Sequence, residues 1–178
     1  AATLPVATEF GDLVTGDHLL AKSEPARGID GESFGLLLLD RGTGWMDCYP
    51  SASKSAASAE NAVRDFQGSE VIQKFYSDSA PELLHAIASI GILHDTSTPY
   101  NSATNGVAER SIRKVLDGSR TLLENAGLGP QWWPYATRAF CHGLNIALIQ
   151  GDSAWNRRHK AGHFKGPSIP FGSLVDVR

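Results

Sequence analysis

Asp17 interrupts the apolar run within residues 9–20, and Asp78 follows the short apolar stretch 71–76. Glu109 opens a helical pattern that also carries Arg110, Arg113, Lys114 and Arg120. Brought together by folding, three such carboxylates would repel one another, and divalent cations resolve that repulsion. With hard oxygen donors and no His or Cys among them, Mg²⁺ or Mn²⁺ is favoured. Metal-binding acids beside a phosphate-binding face are what phosphodiester chemistry requires: one ion activates a water or hydroxyl and a second stabilises the leaving oxygen. Each acid also has a plainer role open to it. Asp17 suits a satisfied buried carboxylate, Asp78 a cap for the helix beginning near Pro81, and Glu109 a first-turn partner of the helix dipole. Arg113 and Lys114 suit a solvated helix face.

The elements that must position these residues follow from periodicity. Residues 9–20 read as a strand bearing Asp17. Residues 33–39, with four successive leucines, read as a strand buried on both faces, and 45–49 return from the turn at 41–44. Within 51–67, Ala56, Ala59, Ala62, Val63 and Phe66 share one helical face, and Gly68 ends the helix. A strand at 71–76, a helix at 81–90 and a strand at 92–96 follow. The stretch 98–114 reads as a mobile loop, with Pro99, Asn101, Asn105 and Gly106 as loop formers, opening into an amphipathic helix with Glu109 in its first turn. Residues 131–148 form an aromatic-rich helix, in which Trp132 and Trp133 read as core. An irregular basic tail closes the chain, ending in a strand at 173–177. The implied class is α/β, with one five-stranded mixed sheet flanked by helices, and acids from adjoining strand ends converging.

Composition narrows the function classes. The chain has 178 residues, 42% hydrophobic and 20% charged, as in a globular domain, and it contains no apolar run of membrane-spanning length. Cys48 and Cys141 cannot build a disulfide framework, and they fit packed thiols in a reducing compartment. His159 and His163 lack a Cys pair nearby and read as part of a basic loop, not a zinc site. The formal net charge of −3 conceals an asymmetry. Residues 1–109 hold 6 Lys/Arg against 15 Asp/Glu, whereas 110–178 hold 10 against 4. An acidic half suited to cations precedes a basic half suited to a polyanion. The first residues show neither an initiator Met nor a secretory pattern, so a non-secreted piece of a longer protein is expected.

Asp17, Asp78 and Glu109, the block running from His94 through Pro99-Tyr100-Asn101 and Asn105-Gly106-Val107-Ala108-Glu109-Arg110, Trp133-Pro134-Tyr135-Ala136 and Ile169-Pro170-Phe171-Gly172 resemble the integrase of copia-type long-terminal-repeat retrotransposons. The resemblance covers nearly the whole chain and is most specific from Pro99 to Arg110. It implies an RNase H-like catalytic core over residues 1–150, with 151–178 as a basic extension beginning a following segment. It implies that Asp17, Asp78 and Glu109 bind two Mg²⁺ or Mn²⁺ ions, and that Tyr100, Asn105 and Gly106 lie in a mobile loop approaching DNA ends. Arg110, Arg113 and Lys114 are the expected phosphate contacts. The implied reactions are trimming of element 3′ ends and their transfer into target DNA. A homo-oligomer on DNA is implied, with no small-molecule cofactor and no membrane. So is a nuclear site of action, preceded by a cytoplasmic particle. The interval from Asp78 to Glu109 is shorter than the family's usual spacing, and the family's upstream zinc module is absent from this chain. Two alternatives therefore stand beside the integrase reading: a hydrolytic nuclease of the RNase H kind, and a DNA-binding remnant without activity.

Overall fold

The structure, a computed structural model, describes residues 6–21, 26–96 and 102–175, and of residues 102–105 the backbone alone. Its strands are β1 (Val14–Leu20), β2 (Phe34–Asp40), β3 (Met46–Ser51), β4 (Lys74–Ser77) and β5 (Leu93–Thr96). Between and after them come the helices α1 (Ala56–Gln67), α2 (Pro81–Ile90), α3 (Ser102–Ala126), α4 (Trp133–Ile146) and α5 (Ala154–His159). The strands form one sheet in the order β3-β2-β1-β4-β5. β1, β2 and β3 pair antiparallel, while β1, β4 and β5 pair parallel, giving the mixed sheet expected.

Strand alternation sorts the core into two layers. The leucine run of β2 sends Leu36 and Leu38 toward α1 and α2, where they meet Val14, Phe75, Val63, Phe66, Leu83 and Ile87. Leu37 and Leu39 face the other way and pack with Leu19, Met46, Val115 and Cys141 beneath α3 and α4. Gly16 allows the two central strands to close over Phe75, since a Cβ there would lie 2.6 Å from the Phe75 ring. At the sheet's edge the Asn145 side chain accepts from Met46 N–H (3.0 Å) and donates to Met46 C=O (2.8 Å), bonding β3 from α4.

Two expectations change. Asn105 and Gly106 are not in a loop: α3 is already helical at Ser102, so Glu109 lies two turns inside it instead of in its first turn. A Gly inside a helix costs only about 1 kcal/mol, which the packing of Val107, Ile112, Val115 and Leu116 against the sheet offsets. Pro99, Tyr100 and Asn101 lie outside the described residues. The tail also differs. Gln150 and Gly151 turn the chain with φ of 54° and 85°, and the Ser153 hydroxyl caps α5 by accepting from Asn156 N–H at 3.1 Å. Residues 173–175 form no strand, and 176–178 lie outside the described residues.

The basic residues of α5 are engaged within the molecule. The Arg158 guanidinium sits 3.9 Å from the Phe10 ring centre and 4.8 Å from that of Trp45. It donates to Phe66 C=O and Gln67 C=O at the end of α1 and pairs with Glu70 at 2.9 Å. Arg157 donates to Thr43 C=O, Lys160 pairs with Glu9, and His159 packs against Trp45 and Trp155. Arg158→Ala is expected to destabilise the protein by about 2–4 kcal/mol in urea unfolding, because it strips carbonyls and rings of a buried cation. Arg158→Lys should recover part of that loss, since an ammonium lacks the guanidinium fork.

Candidate functional site

Parallel pairing of β1 with β4 matches Val14 with Phe75 and Thr15 with Tyr76. Continued past the end of β4 at Ser77, that register brings Asp78 toward the level of Asp17. Alternation turns Thr15, Asp17 and Leu19 toward the layer beneath α3, whose Ala108, Ser111 and Ile112 abut Asp17. Glu109 therefore enters the same neighbourhood from the helix. Burial raises the pKa of Asp17 above the ordinary carboxylate range, and the charges of Asp78 and Glu109 push it further up. The bond from His18 N–H to Asp17 Oδ1 (2.7 Å) and the more distant Lys54 act the other way.

The three acids differ in exposure. Asp17 is half-buried; Asp78 and Glu109 are exposed. Asp78 Oδ1 accepts from Ala80 N–H at 3.2 Å, a local turn just before α2, and the first turn of α2 receives no side-chain cap from Asp78. Glu109, lying outside the first turn of α3, likewise has no role at the helix terminus. Among the described residues no three His, Cys, Asp or Glu side chains close around a point as they stand. The donor set still fits a hard divalent cation in kind: hard oxygens only, mutually repelling, on side chains that share one field.

A groove of about 380 Å³ leads from the acids along α3, lined by Asp17, Glu109, Ile112, Arg113, Leu116, Asp117 and Arg120. At about 100° per residue, Arg113, Leu116 and Arg120 fall within about 40° of Glu109 around the helix, whereas Arg110 and Lys114 lie about 100° and 140° away. Arg113 and Arg120 thus share the face of the acids, and Arg110 and Lys114 are exposed on the flank. Arg120 is a groove residue that only the helical phase reveals. A larger cavity of about 490 Å³, bordered by Leu19, Leu123, Pro130 and Trp133, contains no carboxylate and is not the candidate site.

On the opposite face of β1, His18 and Lys54 converge on Glu82, at 3.5 Å and 2.7 Å. Burial opposes ionisation of Glu82, but the hydrogen bond and charge of Lys54 outweigh it and hold its pKa down. Sequence reasoning missed this trio because its members come from three separate segments. Two further acids near the sheet have ordinary partners: Asp47 faces Arg138, and Asp95 pairs with Lys74.

A raised pKa in the folded state means that ionised Asp17 costs stability in the absence of metal. That cost is full above its folded pKa and vanishes as pH falls below the ordinary aspartate value of 3.8. Asp17→Asn should therefore raise the Tm of the metal-free protein at pH 7 by about 2–4 °C, the shift that about 1 kcal/mol produces at this size. The gain should fade on acidification, as followed by thermal unfolding across pH.

No family model matches the chain. It is 31% identical over 147 residues to the retrovirus-related Pol polyprotein from transposon RE1 of Arabidopsis thaliana, and 29% identical over 145 residues to that from transposon RE2. Each match covers 76% of this chain, which spans about 10% of the length of these relatives. Similar folds include the catalytic core domain of BIV integrase (TM-score 0.60, 15% identity, 82% of this chain and 92% of that one). The HTLV-2 integrase catalytic core domain in complex with magnesium gives 0.62 at 16% identity, over 86% and 99%. A chain of the simian T-cell lymphotropic virus intasome gives 0.67 at 16% identity, over 99% and 63%. The sequence kinship and the five-stranded mixed sheet agree: the chain belongs to the retrovirus-related Pol family of copia-type transposons and has the fold of integrase catalytic cores.

Proposed function

We propose that the chain carries out metal-dependent 3′-end processing and strand transfer of element DNA into target DNA. The observation that carries this reading is the shared electrostatic field of Asp17, Asp78 and Glu109 at the head of a groove that continues past Arg113 and Arg120. Asp17, which feels both other carboxylates, would hold two Mg²⁺ or Mn²⁺ ions, with Asp78 and Glu109 each completing the shell of one. The chemistry supplied by such bound cations is activation of the attacking oxygen and neutralisation of the leaving one. Arg113 and Arg120 would bind backbone phosphates and fix the register of the strand; the flanking Arg110 and Lys114 would meet neighbouring phosphates. Tyr100, Asn105 and Gly106 are the proposed contacts to the DNA end. Magnesium in the HTLV-2 core complex supports the metal, and the intasome relative supports a multimer on DNA, since two ends must be joined. A nuclear site of action, reached from a cytoplasmic particle, belongs to the same proposal.

A second reading is the inactive remnant, favoured by the bond that holds Asp78 Oδ1 on Ala80 and by the short interval before Glu109. Calorimetric titration with Mn²⁺ separates the two: binding by the unsubstituted protein supports the enzyme, and no binding at millimolar metal supports the remnant. With pre-trimmed oligonucleotides and Mn²⁺, joined products are expected. Hydrolysis of an RNA–DNA hybrid without joining would assign a nuclease instead. Asp17→Asn, Asp78→Asn and Glu109→Gln should each lower joining at least about 100-fold, a loss of two steps of about 1.4 kcal/mol in barrier. Arg113→Ala and Arg120→Ala should weaken DNA binding uniformly across sequences and lower the slope of log affinity against log salt by about 1 each.

A further inference from the structure

His94 belongs to the motif block that drew notice in the sequence, yet it lies on the face of the sheet opposite the acids. On β5 it pairs in register with Phe75, and its ring packs edge-on against that phenyl at 5.7 Å. Its Nε2 stands 2.9 Å from the hydroxyl of Ser77, the last residue of β4. The Ser77 hydroxyl, buried at 3% exposure, lies 2.7 Å from the carbonyl oxygen of Asp78 and donates to it. A hydroxyl has one proton. With that proton given to Asp78, Ser77 can only accept from the imidazole, so Nε2 carries the hydrogen. Nδ1 is buried with no partner among the described residues, which also disfavours a proton there, because a buried donor left unpaired costs more than a bare ring nitrogen. Burial holds the His94 pKa below its ordinary value, consistent with a neutral ring.

We propose that His94 is a positioning residue for Asp78, acting through Ser77: the chain His94 Nε2–H to Ser77 Oγ–H to Asp78 C=O fixes the peptide plane after β4 and thereby the direction in which the Asp78 carboxylate leaves the sheet. The inference rests on the metal-binding reading above. It adds a residue that touches neither metal nor DNA. The bond of Asp78 Oδ1 to Ala80 N–H lies on the side chain and uses one lone pair of that oxygen, leaving the other and those of Oδ2 for a cation. The tether from His94 grips the backbone and persists, so the carboxylate can turn while its origin stays fixed.

Two measurements test it. In the unsubstituted protein, imidazole ¹⁵N spectra should show His94 protonated at Nε2 and bare at Nδ1; the opposite tautomer overturns the proposal without any substitution. Calorimetric Mn²⁺ titration should then give an affinity at least about tenfold weaker for Ser77→Ala and for His94→Asn, whose amide is too short to reach the hydroxyl. His94→Gln, whose amide nitrogen can occupy the place of Nε2, should stay within about threefold of the unsubstituted protein. The double variant Ser77→Ala/His94→Asn should lose no more than either alone, since both break one chain. A merely structural role would lower Tm in these variants and leave the Mn²⁺ affinity of the folded protein unchanged, which overturns the inference alone. Absence of Mn²⁺ binding by the unsubstituted protein overturns the metal reading and this inference with it.

Discussion

Parallel pairing of β1 with β4 is the constraint from which the rest of the site follows. It places Asp17, half-buried on the central strand, beside the exposed Asp78 that follows the end of β4. Asp17 is then partly desolvated against α3 while two further negative charges act on it. Native proteins tolerate such an arrangement when something else repays it. The Asp40 carboxylate shows what a purely structural acid looks like in the same sheet. It is fully buried at the end of β2, one oxygen taking Gly11 N–H and the other taking both N–H and hydroxyl of Thr43. Among the described residues, Asp17 receives a single backbone bond, from its own neighbour. The contrast between a saturated and an unsaturated carboxylate separates scaffold from site more sharply than residue type does.

The two faces of the sheet divide the work. The α1/α2 side holds the larger aromatic and aliphatic layer, including Phe66 and Phe75, and fixes β4 and β5 where they stand. The α3/α4 side is thinner near the acids, where the packing of β1 and β2 against α3 gives way to an open groove. α3 serves both ends of this division: Ile112 and Val115 anchor it to the sheet, and Glu109, Arg113 and Arg120 line the groove along one stripe with Leu116 at its apolar border. Because a helix turns by about 100° per residue, anchoring one stripe determines the direction of every other. The position of Glu109 is thus set by apolar residues one and two turns further on.

Much of this was legible in the residue string, for definable reasons. The leucine run of β2, the Ala59/Ala62/Val63/Phe66 stripe of α1 and the Pro81 and Gly91 that bound α2 are local signals, and each element lies where its pattern puts it. Asp17 stood out because a charge inside an apolar strand is costly, a fact independent of the fold. What escaped depends on distant partners. Asn105 and Gly106 carry loop propensity, but α3 is held by the packing of Val107, Ile112, Val115 and Leu116, and tertiary contact overrides a weak local preference. Arg157, Arg158 and Lys160 read as a polyanion-binding tail, yet their partners are Thr43, Phe66, Glu70 and Glu9, far away in sequence. Charge counts cannot tell a cation facing solvent from one spent inside.

That reassignment bears on where nucleic acid would meet the protein. With the α5 cations engaged by carbonyls, rings and acids, the exposed cations near the acids are those of α3. Arg113 and Arg120, the latter paired with Asp117 at 3.1 Å, lie on the acid-facing stripe, and Arg110 and Lys114 lie beside it. Coulomb attraction between these groups and a phosphodiester backbone would draw a strand along α3, and the repulsion from Asp17, Asp78 and Glu109 would hold it off the last few ångströms. Only neutralisation of those carboxylates would let a phosphate come to rest among them. In the proposed function, the same charge that makes the site costly in the free protein would make close approach of DNA conditional on cations, coupling metal occupancy to substrate engagement through electrostatics.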